Sequence, residues 1–121
     1  MAAVDVSQQQ STDAGASALS NGLTHAPTPA PLSTVDQCMI DALAHLRPTP
    51  ARDAAIYHLN TGGHRMRARL ALASSAGRLD THDSTAAAAA CELLHNASLI
   101  HDDISDHDLY RRGQASVRSL Y

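Results

Sequence analysis

HDDISDHDLYRRG, which spans His101–Gly113, places three carboxylates within five positions and follows them with two arginines. The residues before it, 91–100, are apolar enough to form a buried helix. If that helix continues, Asp102 and Asp106 lie one turn apart on the same face. The C-terminal end of a helix already carries negative partial charge, so acidic groups gathered there need cations nearby. Those cations are either a hard metal such as Mg²⁺ or the two arginines.

A simpler interpretation of the acidic cluster is a solvated surface patch. In that case a contact between Asp102 and Arg111 is an ordinary salt bridge. Short motifs of this kind also produce false positives. Other segments of the chain therefore have to decide between a functional site and a charged surface.

A glycine pair precedes one of the predicted helices, in the segment GGHRMRAR at 62–69. Paired glycines let the backbone pass close to an anion, and the helix that follows offers free amide groups at its start. Arg65, Arg67 and Arg69 add planar donors that suit phosphate geometry. Taken alone, the segment is more simply explained as a glycine hinge before a solvated basic helix.

A histidine lies on the apolar helix that leads into the acidic cluster. The segment ELLHNASLIHDD, residues 92–103, carries His95 two turns before Asp102. A lone histidine on such a face is more often a hydrogen-bonded core residue than a ligand-binding group. The order and spacing of the three blocks (glycine-basic loop, this helix, paired arginines) is more specific than any one of them.

In these three blocks the chain resembles the N-terminal part of the trans-isoprenyl diphosphate synthases, the polyprenyl synthetase family. The matching segments are GGHRMRARL, ELLHNASLIHDDISD and RRGQAS, and the resemblance extends from about Val35 to the last residue. It implies an all-α fold, namely the N-terminal helices of the isoprenoid synthase helical bundle, incomplete in this chain. The family fold is well over twice as long, so the resemblance also predicts an N-terminal fragment that is inactive alone.

The resemblance assigns expected roles to individual residues. Asp102, Asp103 and Asp106 match the aspartates that bind Mg²⁺ ions bridging the allylic diphosphate, and Arg111 matches an arginine that contacts that diphosphate. The positions that match the isopentenyl diphosphate site are His64, Arg67, His95 and Arg112. The implied reaction is Mg²⁺-dependent head-to-tail condensation: the allylic substrate loses diphosphate, the isopentenyl double bond attacks the resulting allylic cation, and a proton is then lost. Metal ions stabilise the departing charge, and a dry cavity protects the cation.

Several positions depart from the family pattern. The usual lysine of the glycine-basic loop is replaced by His64, and histidine is in general a weaker, pH-dependent cation than lysine. The proline expected next to the basic residues is Ala68, and Arg69 is an additional charge. Ala115 and Arg118 replace the residues common after the paired arginines. His64 is the change with the clearest consequence, because it falls at a substrate phosphate position.

The same helix carries an expectation about product length. Ala97 and Ser98 occupy the positions where, in the family, bulky aromatic residues stop a growing chain early. Because both side chains are small, the resemblance predicts an open chain-length pocket here and a product of geranylgeranyl length or longer.

The domain organisation follows from composition. Residues 1–32 are rich in Ser, Thr, Ala and Pro, with few bulky apolar residues, which predicts a disordered tail before a domain at 33–121. No apolar run reaches the roughly 20 residues needed to span a bilayer, and no signal sequence is convincing, so cytoplasm is the expected location. A net charge of −3 argues against a nucleic-acid partner. The resemblance adds a homodimer as the expected state when the protein is complete.

Helix boundaries can be placed coarsely from capping and breaking signals. Ser33 or Thr34 is predicted to cap the first helix. Thr49-Pro50 opens a second helix to about Leu59, with Pro at the first helical position. A third runs from about Arg65 to Ala76, and Asp83 or Ser84 caps the fourth. No strand is expected.

Two functions from other classes remain open on the sequence. One is a non-catalytic synthase-like subunit that binds a diphosphate or a partner, which His64 favours. The other is a helical interaction module whose Asp and Arg pairs are structural. The latter predicts that Asp102→Ala and Asp106→Ala lower stability, and that Mg²⁺ with diphosphate does not raise the melting temperature.

Overall fold

The architecture is a set of helices followed by one short hairpin. We describe residues 30–121 of a computed structural model; the predicted tail at 1–32 lies outside this range except for its last residues. The elements in chain order are α1 (Leu32–Ala44), α2 (Pro50–Asn60), α3 (Met66–Ser75), α4 (Thr81–Ser105), β1 (Tyr110–Arg111), β2 (Gln114–Ala115) and α5 (Val117–Leu120). The predicted all-α class is confirmed for the described residues, which are mostly helical.

The start of α2 is the one that the sequence predicted best. Thr49 precedes the helix in an extended conformation, and its hydroxyl accepts a hydrogen bond from the Arg52 amide at 3.2 Å. Pro50 is the first helical residue, where its missing amide proton costs nothing and its fixed φ suits the helix. Local chemistry is sufficient here, and the prediction is confirmed.

The predicted starts of α1 and α4 are wrong by a few residues. α1 begins at Leu32, directly after Pro31, and no side chain caps it. α4 begins at Thr81 because Asp80 is the capping residue: its Oδ1 accepts from the Asp83 amide at 2.8 Å. Asp83 instead lies in the first turn, where a negative charge interacts favourably with the helix dipole.

The hairpin after α4 was not expected from the sequence. Tyr110 pairs with Ala115 and Arg111 with Gln114 in an antiparallel ladder. Arg112 and Gly113 form the two-residue turn and have φ values of +53° and +76°. Positive φ at both central positions matches the twist that tight hairpins need. Two-residue strands are too short to produce a recognisable alternating pattern, which explains why the hairpin was missed.

α4 is the central helix, since α1, α2, α3 and α5 all pack against it. Its Ala88 and Ala89 are buried in the core, and such small side chains let neighbouring helices approach closely. The buried cluster comprises Ala30, Val35, Met39, Leu59, Ala68, Leu72, Ala88 and Ala89. Other apolar side chains, including Leu94 on α4, remain exposed. None of the helices described combines the length and apolar character needed to cross a bilayer.

Candidate functional site

The acidic cluster lies at the C-terminal end of α4, and its three aspartates are in two different environments. The Asp106 amide donates to the Asp102 carbonyl at 2.8 Å, so these residues are one helical turn apart as predicted. Both of their side chains are exposed, whereas Asp103 is fully buried. The cluster therefore contains two solvent-facing carboxylates and one internal carboxylate.

Asp103 is neutralised by Arg111, which β1 brings back against the helix. The Arg111 Nε lies 2.7 Å from Oδ1 and 2.9 Å from Oδ2, and an Nη2 hydrogen bond to Oδ1 completes a forked contact. The hydrogen bond that Arg111 donates to Asp103 raises the pKa of Arg111 above its usual range. The sequence allowed a salt bridge between Arg111 and Asp102, but Arg111 pairs with Asp103 instead. Arg111 and Asp103 were both predicted to serve the allylic diphosphate, and in the structure they bind each other.

The carboxylates of the predicted metal triad do not converge on one point. Within residues 30–121, the metal-capable side chains whose ligand atoms lie within 4.8 Å of one another belong to Asp80, His82 and Asp83. Those three are exposed at the opposite end of α4, and Asp80 already serves as the helix cap. At the predicted site, Asp102 and Asp106 still offer two accessible carboxylates one turn apart, which is the donor type that Mg²⁺ prefers.

A second site forms where the glycine-basic loop meets α4 and the hairpin turn. A cavity of about 160 Å³ lies there. Its lining residues are Gly63, His64, Arg65, Met66, Arg67, Glu92, His95 and Arg112. All four residues predicted for the isopentenyl diphosphate site are among them, although they come from three separate segments. The structure therefore brings together a set that the sequence could only relate by resemblance.

The Arg112 guanidinium packs against the glycine pair of the loop. The Arg112 Nη1 donates to the Gly62 carbonyl and lies 3.3 Å from the Thr61 hydroxyl. A Cβ at Gly63, whose φ is +141°, would lie 3.0 Å from the Arg112 Nη2. Burial and the neighbouring Arg111 lower the pKa of Arg112. Glycine is thus required at position 63 both by its backbone conformation and by the guanidinium packed against it.

The two histidines of the cavity differ in their surroundings. Burial, and then the charge of Arg67, lower the pKa of the half-buried His95, so it is neutral at pH 7 and can donate one hydrogen bond. His64 is exposed, and its carbonyl accepts from Arg69 Nε at 3.3 Å. The additional arginine noted in the sequence thus braces the loop and does not line the cavity.

Two further polar residues shape this site: Glu92, to which the sequence assigned no role, and Arg65, which it offered only as a phosphate donor. Glu92 is buried on α4, and its Oε1 accepts from the Ala68 amide at 3.0 Å. Arg65 donates to Asp36 Oδ1 at 2.7 Å and to the Leu59 carbonyl at 3.2 Å, which ties the loop to α1 and α2. Glu92 is a lone glutamate at the start of an apolar helical stretch, and that signal in the sequence could have drawn attention to it.

A larger groove runs between α3 and α4 beside the cavity. It encloses about 560 Å³ and is lined by Arg67, Leu70, Ala71, Ser74, Cys91, Leu94, His95 and Ser98. Arg67 and His95 also line the smaller cavity, so the charged pocket and the mostly apolar groove adjoin. Of the two residues predicted for the chain-length pocket, Ser98 lines this groove, whereas Ala97 is exposed outside it.

Comparison with known proteins gives one family and several relatives. The family model described as polyprenyl synthetase matches residues 49–121. A short chain isoprenyl diphosphate synthase of Methanothermobacter thermautotrophicus is 39% identical over 87 residues, covering 71% of this chain and 27% of the relative. A geranylgeranyl diphosphate synthase of Methanosarcina mazei is 42% identical over 86 residues, covering 70% and 26%. Component 2 of a heptaprenyl diphosphate synthase from Geobacillus stearothermophilus is 38% identical over 73 residues, covering 60% and 23%. The chain spans about a quarter of the length of these relatives.

Proposed function

This chain belongs to the polyprenyl synthetase family, and on that basis we propose that it forms part of a prenyltransferase that joins isopentenyl diphosphate to an allylic diphosphate. The relatives are named as isoprenyl, geranylgeranyl and heptaprenyl diphosphate synthases, which supports the reaction class. A cytoplasmic homodimer is the proposed state of the whole protein.

The observation that carries the proposal is the cavity between the glycine-basic loop and α4. Its lining includes Arg67 and Arg112, two forked cations, together with His64 and His95. Arginine suits phosphate because its planar donors match the geometry of the oxygens. The space is compact and shares Arg67 and His95 with the apolar groove, so a diphosphate with a short hydrocarbon chain fits the chemistry of both. Isopentenyl diphosphate is the proposed ligand here.

The allylic diphosphate is proposed to bind at the acidic end of α4. Asp102 and Asp106 are exposed one turn apart and would hold Mg²⁺, which would neutralise the charge of the departing diphosphate. Asp103 faces inward and holds Arg111 in place. A metal-binding role for Asp103, or a diphosphate contact by Arg111, requires the two side chains to separate.

The proposed chemistry places two diphosphates on either side of the hairpin. The carbon–oxygen bond of the allylic diphosphate breaks, and both electrons leave with the diphosphate. The double bond of isopentenyl diphosphate supplies the electron pair for the new carbon–carbon bond, and a proton is then lost. The residues of this chain bind and orient: Arg67 and Arg112 hold one diphosphate, while Arg111 would contact the other only after separating from Asp103. Holding both reactants in this way removes much of the entropic barrier.

A product of geranylgeranyl length or longer is supported by the side chains along the groove. Ser98 and Cys91 are small, and both line the groove between α3 and α4. Because Ser98 lines the groove and Ala97 does not, Ser98 is the better-placed member of the predicted pair for limiting chain length.

Binding of isopentenyl diphosphate to the chain tests this proposal directly. Arg67→Gln removes one forked cation that lines the cavity, and Arg78→Gln is a matched control at an exposed position outside it. Loss of a charge-assisted contact to phosphate is worth about 1.5–3 kcal/mol, or about tenfold or more in affinity. We expect calorimetry to give that loss for Arg67→Gln alone, with both variants unfolding as the wild type does. Equal effects of the two variants, or no binding by the wild type, would contradict the proposal.

A further inference from the structure

Glu92 is the only glutamate in the sequence, and it is 3% exposed on α4. Its Oε1 accepts a hydrogen bond from the Ala68 amide, 3.0 Å away, across the interface between α3 and α4. Burying a carboxylate is costly unless it is paired and hydrogen-bonded. The position of this one therefore requires a structural or chemical reason.

The N-terminus of α3 lacks a cap of its own. Arg65 precedes the helix with a left-handed φ of +51°, and its side chain makes no capping hydrogen bond. The first amides of any helix have no partner within it, and the backbone ladder of α3 starts with the Arg69 amide bonding the Arg65 carbonyl at 3.0 Å. The amide of Ala68, the third residue, is satisfied by Glu92 from a different helix.

This interhelical cap lies at the wall of the cavity. Arg67 directly precedes the capped Ala68, and His95 follows Glu92 by one turn on α4. Both of these side chains, and Glu92 itself, line the space. The hydrogen bond between the two helices therefore fixes the separation of two groups that face each other across it.

We propose that Glu92 is a positioning residue that caps α3 from α4 and so sets the spacing of Arg67 and His95 across the diphosphate cavity. The part concerning diphosphate rests on the proposed function; the cap itself does not. A negative charge beside a bound diphosphate is repulsive on its own. The benefit of Glu92 thus comes from the length and acceptor oxygen of its side chain.

Two conservative variants of Glu92 separate the effect of its side-chain length from that of its charge. Glu92→Gln keeps the length and the acceptor oxygen and removes the charge. Glu92→Asp keeps the charge and draws the carboxylate back by one methylene, away from the Ala68 amide. The exposed Asp53, in the first turn of α2, provides the control variant Asp53→Asn for loss of an acidic group elsewhere.

The test uses the 121-residue chain, with amide hydrogen exchange at Ala68 measured by NMR and binding of inorganic diphosphate measured by calorimetry. Loss of a helix cap is worth about 1 kcal/mol, which is about fivefold in an equilibrium constant. We expect Glu92→Asp to speed exchange at Ala68 about fivefold and to weaken diphosphate binding by a similar factor. Glu92→Gln should protect Ala68 as the wild type does and bind diphosphate at least as tightly. Asp53→Asn should change neither.

The opposite ranking would overturn the proposal. If Glu92→Asp behaves as the wild type while Glu92→Gln loses affinity, charge and not capping is the role of this residue. Unchanged exchange at Ala68 in both variants would likewise rule out the cap. If the wild type binds no diphosphate, the proposed function fails, and exchange at Ala68 alone decides whether Glu92 positions α3.

Discussion

The buried pair of Asp103 and Arg111 leads to a prediction that distinguishes structural from metal-binding aspartates. Asp103→Asn keeps the size of the side chain but removes the charge that compensates Arg111. The Asp103 side chain is fully buried and that of Arg111 is 24% exposed. Removing one partner of a buried pair costs about 3–5 kcal/mol. Since water reaches part of the guanidinium, we expect the free energy of unfolding to fall by about 3 kcal/mol, at the lower end of that range.

Urea unfolding followed by circular dichroism measures this change. A loss of about 3 kcal/mol corresponds to roughly a 12–24 °C lower melting temperature in a domain of this size. Asp102→Asn is the matched control, because the same substitution is made one residue away at an exposed position. Surface substitutions usually change the free energy of unfolding by no more than about 0.5 kcal/mol. We expect the control to unfold within that margin of the wild type.

A double-mutant cycle with Arg111→Gln completes the test. If the two side chains stabilise each other, the double variant should be less destabilised than the sum of the single variants, because only the single variants leave an unpaired charge behind. Additive effects would refute the reasoning, as would equal stability of Asp103→Asn and Asp102→Asn. A gain in stability for Asp103→Asn would indicate that repulsion among the carboxylates dominates, as expected if all three aspartates shared a metal site.

Two other predictions concern the surroundings of the hairpin. In urea unfolding, Gly63→Ala should destabilise the chain by about 1 kcal/mol more than Gly77→Ala. Both glycines have positive φ, but an added Cβ would meet the Arg112 guanidinium, at 3.0 Å from Nη2, only at position 63; equal losses would contradict this. Burial, and then Arg112, lower the pKa of the buried His58, and burial likewise lowers that of His95. The unfolded chain therefore takes up protons at higher pH than the folded chain. The stability that these neutral histidines contribute is fully present above about pH 6.5, and the free energy of unfolding falls as the pH is lowered below it. His58→Gln should reduce that fall between pH 7.5 and 5, and an unchanged slope would exclude His58 as its source.

The fold was largely predictable because its helices are specified by local chemistry. Thr49 and Pro50 determine the start of α2, and glycines separate α2 from α3. The start of α4 was misplaced because several capping residues lie close together there, and only the three-dimensional structure shows that Asp80 is the one used. The hairpin was missed because each of its strands has two residues.

The resemblance grouped four residues that the structure brings to one cavity, but it did not predict their contacts, and their role in binding stays a prediction. The four residues of the cavity could be named from resemblance, yet the pairing of Asp103 with Arg111 could not. A signal for it exists, however: Glu92, Asn96 and Asp103 are all buried on α4 and recur at helical spacing. Extending the buried face of the helix into the acidic cluster would have indicated that Asp103 faces inward.

The hairpin has a consequence for the geometry of two substrates. Arg111 contacts the end of α4 and Arg112 contacts the loop after α2, although the two are joined by a single peptide bond. Their α-carbons are therefore about 3.8 Å apart, whatever else moves. Arg111 is the last residue of β1 and Arg112 is the first residue of the turn, so a residue inserted between them would displace one of the two contacts. The peptide bond between Arg111 and Arg112 would then limit how far apart the two proposed diphosphate sites can lie. Insertions should be tolerated least between these two residues.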